Sequence, residues 1–314
     1  MPAPVPITLW HWAGFILVLL VFLGLDLGVF HRSSRPVKFK EALLWSAIWF
    51  CLAMLFARAL GAWRGPGESL EFITAYVVEF CLSMDNVAAI ALIFASLGVA
   101  AQYQHRVLFW GIFGALVLRG LMIGVGAALI HAFHWVLYLL GAFLIFTALK
   151  WAFLKPAAVP PENNPVFRLA RRIFPVSTGD GDKFLTWLDG RRAWTPLALA
   201  LLMVETADLI LAADSIPAVF AVTQKPFIVF SSNAFAILGL RSLYFAVAGA
   251  VQYFRFLKAG LGGVLVFVGG KMLASRWVEV PVGMSLAVVA AIIAFSLGLS
   301  TILARPADGK EKEK

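Results

Sequence analysis

Between Val204 and Val219 the chain reads V-E-T-A-D-L-I-L-A-A-D-S-I-P-A-V, which sets Glu205, Asp208 and Asp214 in an otherwise apolar run. A carboxylate at the centre of a membrane helix costs about 2.5 to 3.5 kcal/mol on the insertion scale, so three in one segment need partners. An earlier stretch, V-E-F-C-L-S-M-D-N-V-A-A-I-A-L-I from Val78 to Ile93, carries Glu79 and Asp85. These stand six apart, as Asp208 and Asp214 do. Further along, F-G-A-L-V-L-R-G-L-M-I around Arg119 matches F-A-I-L-G-L-R-S-L-Y-F around Arg241. The run ending at Lys150 likewise matches the run ending at Lys271, so three consecutive apolar segments recur as a block.

Pro217 cannot donate a backbone hydrogen bond, so a helix here leaves the carbonyl of Ala213 without its usual partner, beside Asp214. A freed carbonyl next to a carboxylate suits a cation; an ordinary proline kink is the plainer alternative. Asn86 and Ser215 follow the two aspartates directly and add neutral oxygens, as do Ser83 and Asn233. Residues six apart on a helix point about 120° away from each other and lie ~9 Å apart along the axis. Glu79 and Asp85 therefore do not chelate one ion on an undistorted helix, whereas Glu205 and Asp208 share a face. The expectation is that Asp85 and Asp214 meet across the repeat interface as metal ligands. Glu79, Glu205 and Asp208 then pair with Arg119 and Arg241, add a ligand or carry protons. A guanidinium stays charged, so both arginines should face carboxylates, and a structural ion pair that locks the bundle is the favoured reading of both.

The intramembrane acids Asp26, Glu79, Asp85, Glu205, Asp208 and Asp214 outnumber Arg119, Arg241 and the helix-end Lys271. That excess repels an anion and attracts a cation. Oxygen donors without Cys or His favour Mg, Ca or Mn over Zn, Cu or Ni. Asp26, in L-G-L-D-L-G near a helix end, reads either as an acid paired with Arg32 or Arg35 or as part of the ion path. The five histidines fall at or near helix ends.

The elements that must hold these groups follow from hydropathy. With 61% hydrophobic and 14% charged residues over 314 positions, the chain has more apolar surface than a soluble core could hide. Apolar runs at 8–30, 41–60, 72–98, 106–130, 135–153, 196–222, 227–250, 259–275 and 281–303 are each about long enough to span ~30 Å of hydrocarbon. The reading is an all-α polytopic membrane protein of about nine transmembrane helices. Helices 3–5 and 6–8 form a 3+3 inverted-topology repeat, because three helices per unit reverse its sense. The segments are 1–71 with helices 1 and 2, 72–153 as the first repeat, 154–195 as a cytoplasmic linker, 196–276 as the second repeat, and 277–314 with helix 9 and a tail. Residues 58–71 read as the main external loop. Counting alternate sides, nineteen Lys and Arg lie on one and four on the other, which places the N-terminus outside and the C-terminus in the cytoplasm. The net charge of +9 thus reports orientation and not nucleic-acid binding. The first apolar run lacks a basic leader and a cleavage site and reads as a retained helix.

The linker carries Asp180 and Asp182, but lacks the closing glutamate of a calcium loop and reads as a solvated turn. Cys51 and Cys81 are too few for a thiolate metal site and are not expected to form a disulfide.

Four stretches together carry a family resemblance: L-D-L-G-V-F-H-R from Leu25, E-F-C-L-S-M-D-N from Glu79, D-L-I-L-A-A-D-S-I-P-A-V-F-A-V-T from Asp208, and F-I-V-F-S-S-N-A-F-A-I-L-G-L-R-S-L-Y-F from Phe227. In this order, and over about residues 15–303, they closely resemble the TerC/Alx family of integral membrane proteins, related to the LysE transporter superfamily. Thr206-Ala207 and Ser231 are conservative departures from the pattern. The resemblance implies manganese export from the cytoplasm, with Glu79, Asp85, Asn86, Glu205, Asp208, Asp214 and Ser215, and also Asn233 and Arg241, along the metal path. It also brings a link to tellurite resistance, and to metal supply for exported enzymes or to membrane-protein assembly.

The expectation is thus a secondary transporter of the bacterial inner membrane and not an enzyme. Mn(II) is its transported ion, and no cofactor is permanently bound. A divalent cation and the lipid bilayer are its partners, with a homo-oligomer or a secretion-machinery partner left open. The alternative is an accessory factor whose buried charges are structural.

Overall fold

The computed structural model describes residues 6–30, 39–153, 168–169, 172, 183–188, 191–247, 257–278 and 280–303. Among them are nine long helices: α1 (Leu9–Phe30), α2 (Phe39–Arg64), α3 (Pro66–Ser96), α4 (Ala101–Ala132), α5 (Val136–Phe153), α6 (Pro196–Phe220), α7 (Pro226–Val247), α8 (Leu257–Ala274) and α9 (Val282–Leu303). Seven of them are long and apolar enough to cross a membrane, while the apolar stretches of α1 and α8 are shorter. The molecule is an all-α polytopic membrane protein.

The sequence reading set helix ends too early around residues 58–71. No long loop exists there: α2 runs to Arg64, α3 begins at Pro66, and Gly65 alone joins them at φ 100°. That backbone conformation is open essentially only to glycine. Pro66 supplies a φ suited to the first helical turn, and Arg64 bridges the junction by pairing with Glu68 at 2.8 Å. The charged residues here lie within the helix ends and pair with one another, where hydropathy alone suggests a loop.

The linker also holds an antiparallel hairpin, β1 (Leu185–Leu188) with β2 (Arg191–Trp194), in register Leu185 to Trp194. Thr195 ties it to α6: its hydroxyl donates to the carbonyl of Lys183 at 2.8 Å and accepts from the amide of Ala198 at 3.3 Å, with Pro196 opening the helix. Asp26 belongs to α1, but its side chain lies outside the described residues, as do Asp180, Asp182 and the tail.

Helix α7 is the central post. Its apolar window is 94% buried, against 22% for α2 and for α9, and it packs against α2, α3 and α4. On one side an aromatic cluster of Phe15, Phe56, Phe72, Phe227 and Phe235 joins α1, α2, α3 and α7. On the other, α5 crosses α8 at two glycines. A Cβ at Gly269 would lie 2.7 Å from the carbonyl oxygen of Gly141, so the backbones touch. Helix α6 packs on α3 and on α4, where Gly111 receives Val204 and Gly126 receives Phe220.

Candidate functional site

Arg119 of α4 is the hub of the buried polar network, with 1% of its surface exposed. Its guanidinium forks onto Asp208 of α6, Nη2 donating to Oδ1 at 2.8 Å and Nε to Oδ2 at 3.3 Å. Nη1 donates to Glu79 Oε1 of α3 and, at 2.9 Å, to Asn233 Oδ1 of α7. Glu79 is 0% and Asp208 8% exposed, so four helices converge on one desolvated cation and two desolvated acids. Leaving any of these charges unpaired at such depth is costly, and a bidentate guanidinium answers a carboxylate well.

Two weaker bonds set the sense of the α3 and α6 crossing. Asn86 Nδ2 donates to Asp208 Oδ1 at 3.2 Å, and Ser215 Oγ donates to Glu79 Oε1 at 3.4 Å. Position 86 therefore faces 208 while 79 faces 215, so the helices run antiparallel. In that register Asp85 and Asp214 are offset by five residues, about 7.5 Å of helix rise, and Glu79 and Asp208 by seven, about 10.5 Å. Glu79 and Asp208, equivalent positions of the sequence echo, are joined through the guanidinium of Arg119.

Asp214 turns toward α5, where Thr147 Oγ1 donates to its Oδ1 at 3.0 Å, and Ala213 beside it is half-buried. Helix α6 continues past Pro217 to Phe220. Asp85 is half-buried in α3. Arg241 is buried in α7, about two turns beyond Asn233. Glu205 lies one turn before Asp208 with its carboxyl against Gly114 of α4, where any side chain would collide with it. Among the described residues, three buried side-chain oxygens have no hydrogen-bond partner: Glu79 Oε2, Ser83 Oγ and Glu205 Oε2. Glu79 and Ser83 are one turn apart on α3, so these two open oxygens belong to one face. Among the described residues, no three or more His, Cys, Asp and Glu side chains are grouped to hold a metal ion.

Two groups escaped the sequence reading. Thr147 is a lone hydroxyl in the apolar run G-A-F-L-I-F-T-A-L-K, a signal that was available. At the α2 and α3 junction, Lys225 Nζ reaches Glu71 at 2.9 Å and Glu68 at 3.3 Å, and Thr223 Oγ1 donates to Glu71 Oε2 at 2.7 Å. This cluster fastens the α6 to α7 turn onto α3, and assigning Glu68 and Glu71 to a loop concealed it.

A bundle of membrane-length helices closed around a buried, charge-paired polar centre defines a polytopic integral membrane protein with a site at its interior. The chain belongs to the TerC family of integral membrane proteins, whose profile matches residues 64–308. It is 50% identical over 297 residues to an uncharacterised membrane protein, STKORF319, of Myxococcus xanthus, covering 94% of this chain and 93% of that protein. It is 40% identical over 298 residues to Alx of Photorhabdus laumondii, named as a candidate membrane-bound redox modulator, with 91% and 92% covered. An uncharacterised membrane protein of Rickettsia felis is 35% identical over 292 residues, with 93% and 97% covered. No solved structure matches the chain.

Proposed function

We propose that this protein is a secondary transporter that exports a divalent metal cation, Mn(II) foremost, from the cytoplasm through a carboxylate-lined path between inverted repeats. The observation that carries the reading is the pairing of Glu79 of α3 and Asp208 of α6 on the one guanidinium of Arg119, with Ser215 and Asn233 as further oxygen donors, inside helices of membrane length. Buried carboxylates facing a bundle interior mark ion pathways, and hard oxygen donors suit Mn, Mg or Ca. The Asn86–Asp208 and Ser215–Glu79 bonds are the same pair with the repeats exchanged, in opposite chain senses, which supports the inverted repeat. In that register Asp214 stands one residue from the level of Glu79 and Asp85 one residue from the level of Asp208, so each flanks one acid of the centre. The lysine and arginine bias supports a bacterial inner-membrane location with the C-terminus in the cytoplasm.

The Alx name describes a redox modulator. A thiol-based redox role in this chain would rest on Cys51, exposed in α2, and Cys81, buried in α3, which are both free. The acids are the better equipped chemistry.

The test is Mn(II) flux into proteoliposomes by the parent protein, Asp85→Asn and Asp214→Asn. Saturable parent flux lost in both variants is the expected result. Folded, inserted parent protein with no flux above empty liposomes would refute the exporter reading and favour an accessory role in metal supply or membrane-protein assembly.

A further inference from the structure

The same carboxylates that the exporter reading gives to the metal are held by Arg119, and the two arrangements exclude each other. Both oxygens of Asp208 and Oε1 of Glu79 accept from one guanidinium. A divalent cation bound to those oxygens would bring two positive charges against a third that cannot be discharged by losing a proton. Asn86 points the same way: it presents its amide Nδ2, a donor, to Asp208, and would have to rotate to offer an oxygen to a metal. This centre is therefore complete without metal. Two oxygens beside it, Glu79 Oε2 and Ser83 Oγ, have no hydrogen-bond partner and are the ones left to accept an ion. Arg119 also has somewhere to go, because Nη1 already donates to Asn233 on α7.

We infer that Arg119 is a tethered counter-cation: it takes the metal's place on Glu79 and Asp208 when the carrier is empty and withdraws toward Asn233 when the metal binds. This rests on the exporter reading and assigns Arg119 a specific step in it. A carrier that alternates must return empty, and two bare carboxylates cannot cross the closed, desolvated state without a positive charge between them. Arg119 supplies that charge on the return and yields to the metal on the outward step.

The experiment separates the two steps. Proteoliposomes carrying the parent, Arg119→Gln or Arg119→Lys are assayed for net uptake of radiolabelled Mn(II) into metal-free lumen, and for exchange of the label against unlabelled Mn(II) inside. Exchange needs only the loaded carrier; net uptake needs the empty return. Arg119→Gln is expected to lower the ratio of net uptake to exchange by about a hundredfold relative to the parent. Arg119→Lys, which keeps the charge, should hold a net-to-exchange ratio close to the parent's. Equal loss or equal retention of both fluxes in folded Arg119→Gln would overturn the inference. If Arg119→Gln does not fold, a collapsed net-to-exchange ratio in Arg119→Lys overturns it, and a preserved one supports it. Absence of both fluxes in the parent itself refutes the exporter reading instead.

Discussion

Gly269 and Gly270 are adjacent in α8, and alanine is expected to act on them with opposite sign. A Cβ at Gly269 would stand 2.7 Å from the carbonyl oxygen of Gly141, 2.9 Å from Ile145 Cγ1 and 3.3 Å from Leu144 Cβ. The nearest of these is backbone and cannot swing aside, so α5 and α8 must part by several tenths of an ångström. Overpacking of this kind costs about 1–3 kcal/mol. A Cβ at Gly270 meets nothing within 4 Å. Each Gly→Ala change also gains up to about 1 kcal/mol of helix propensity, and that gain cancels in the difference between two neighbours. Gly270→Ala should thus be neutral or stabilising, with Gly269→Ala about 1–3 kcal/mol below it. Unfolding of both variants in a detergent titration measures the difference directly. Shifts equal within about 0.5 kcal/mol would refute the backbone contact between α5 and α8.

Three further outcomes follow from the site. Asp208→Ala strands two guanidinium donors in the interior and should cost about 3–5 kcal/mol, whereas Asp208→Asn keeps one acceptor and should cost about 1.5–3 kcal/mol; equal losses in detergent unfolding would contradict the forked contact. Gly114→Ala should destabilise the parent but have little effect in a Glu205→Ala background, a coupling of about 0.5–3 kcal/mol in a double-mutant cycle. Additive effects there would mean that the Glu205 carboxyl does not rest on Gly114. Thr223→Val removes a bond to Glu71 and should speed amide exchange in residues 221–225 while leaving the middle of α7 unchanged; a turn exchanging at the parent rate would argue against its fastening to α3.

Much of the architecture could be read from residues alone, because the cost of placing a side chain in hydrocarbon is a property of that side chain. The nine apolar runs correspond to the nine long helices, and the acids within them single out α3 and α6 before any contact is known. Reading failed where a local signal had two meanings. The charged stretch 58–71 resembles a loop, yet Arg64, Glu68 and Glu71 are helix-end residues whose charges are met by one another and by Lys225 across the fold. Likewise Thr195, Pro196 and the alternation in Leu185–Leu188 mark a hairpin docked on a helix, although overall polarity suggests only a linker.

What the sequence by itself determined is the membrane class, the order of the helices and the set of buried charges that must be balanced. Which charge balances which was decided only by the tertiary structure. Spacing along a helix says which residues share a face, but not the direction or height at which another helix crosses it. The antiparallel register brings 79 to 215 and 86 to 208, and Arg119 of a third helix bridges the seven-residue offset between Glu79 and Asp208. That register arises from packing: the glycines of α4 admit α6 closely, and the wholly buried α7 brings Asn233 to Arg119, conditions no single segment contains.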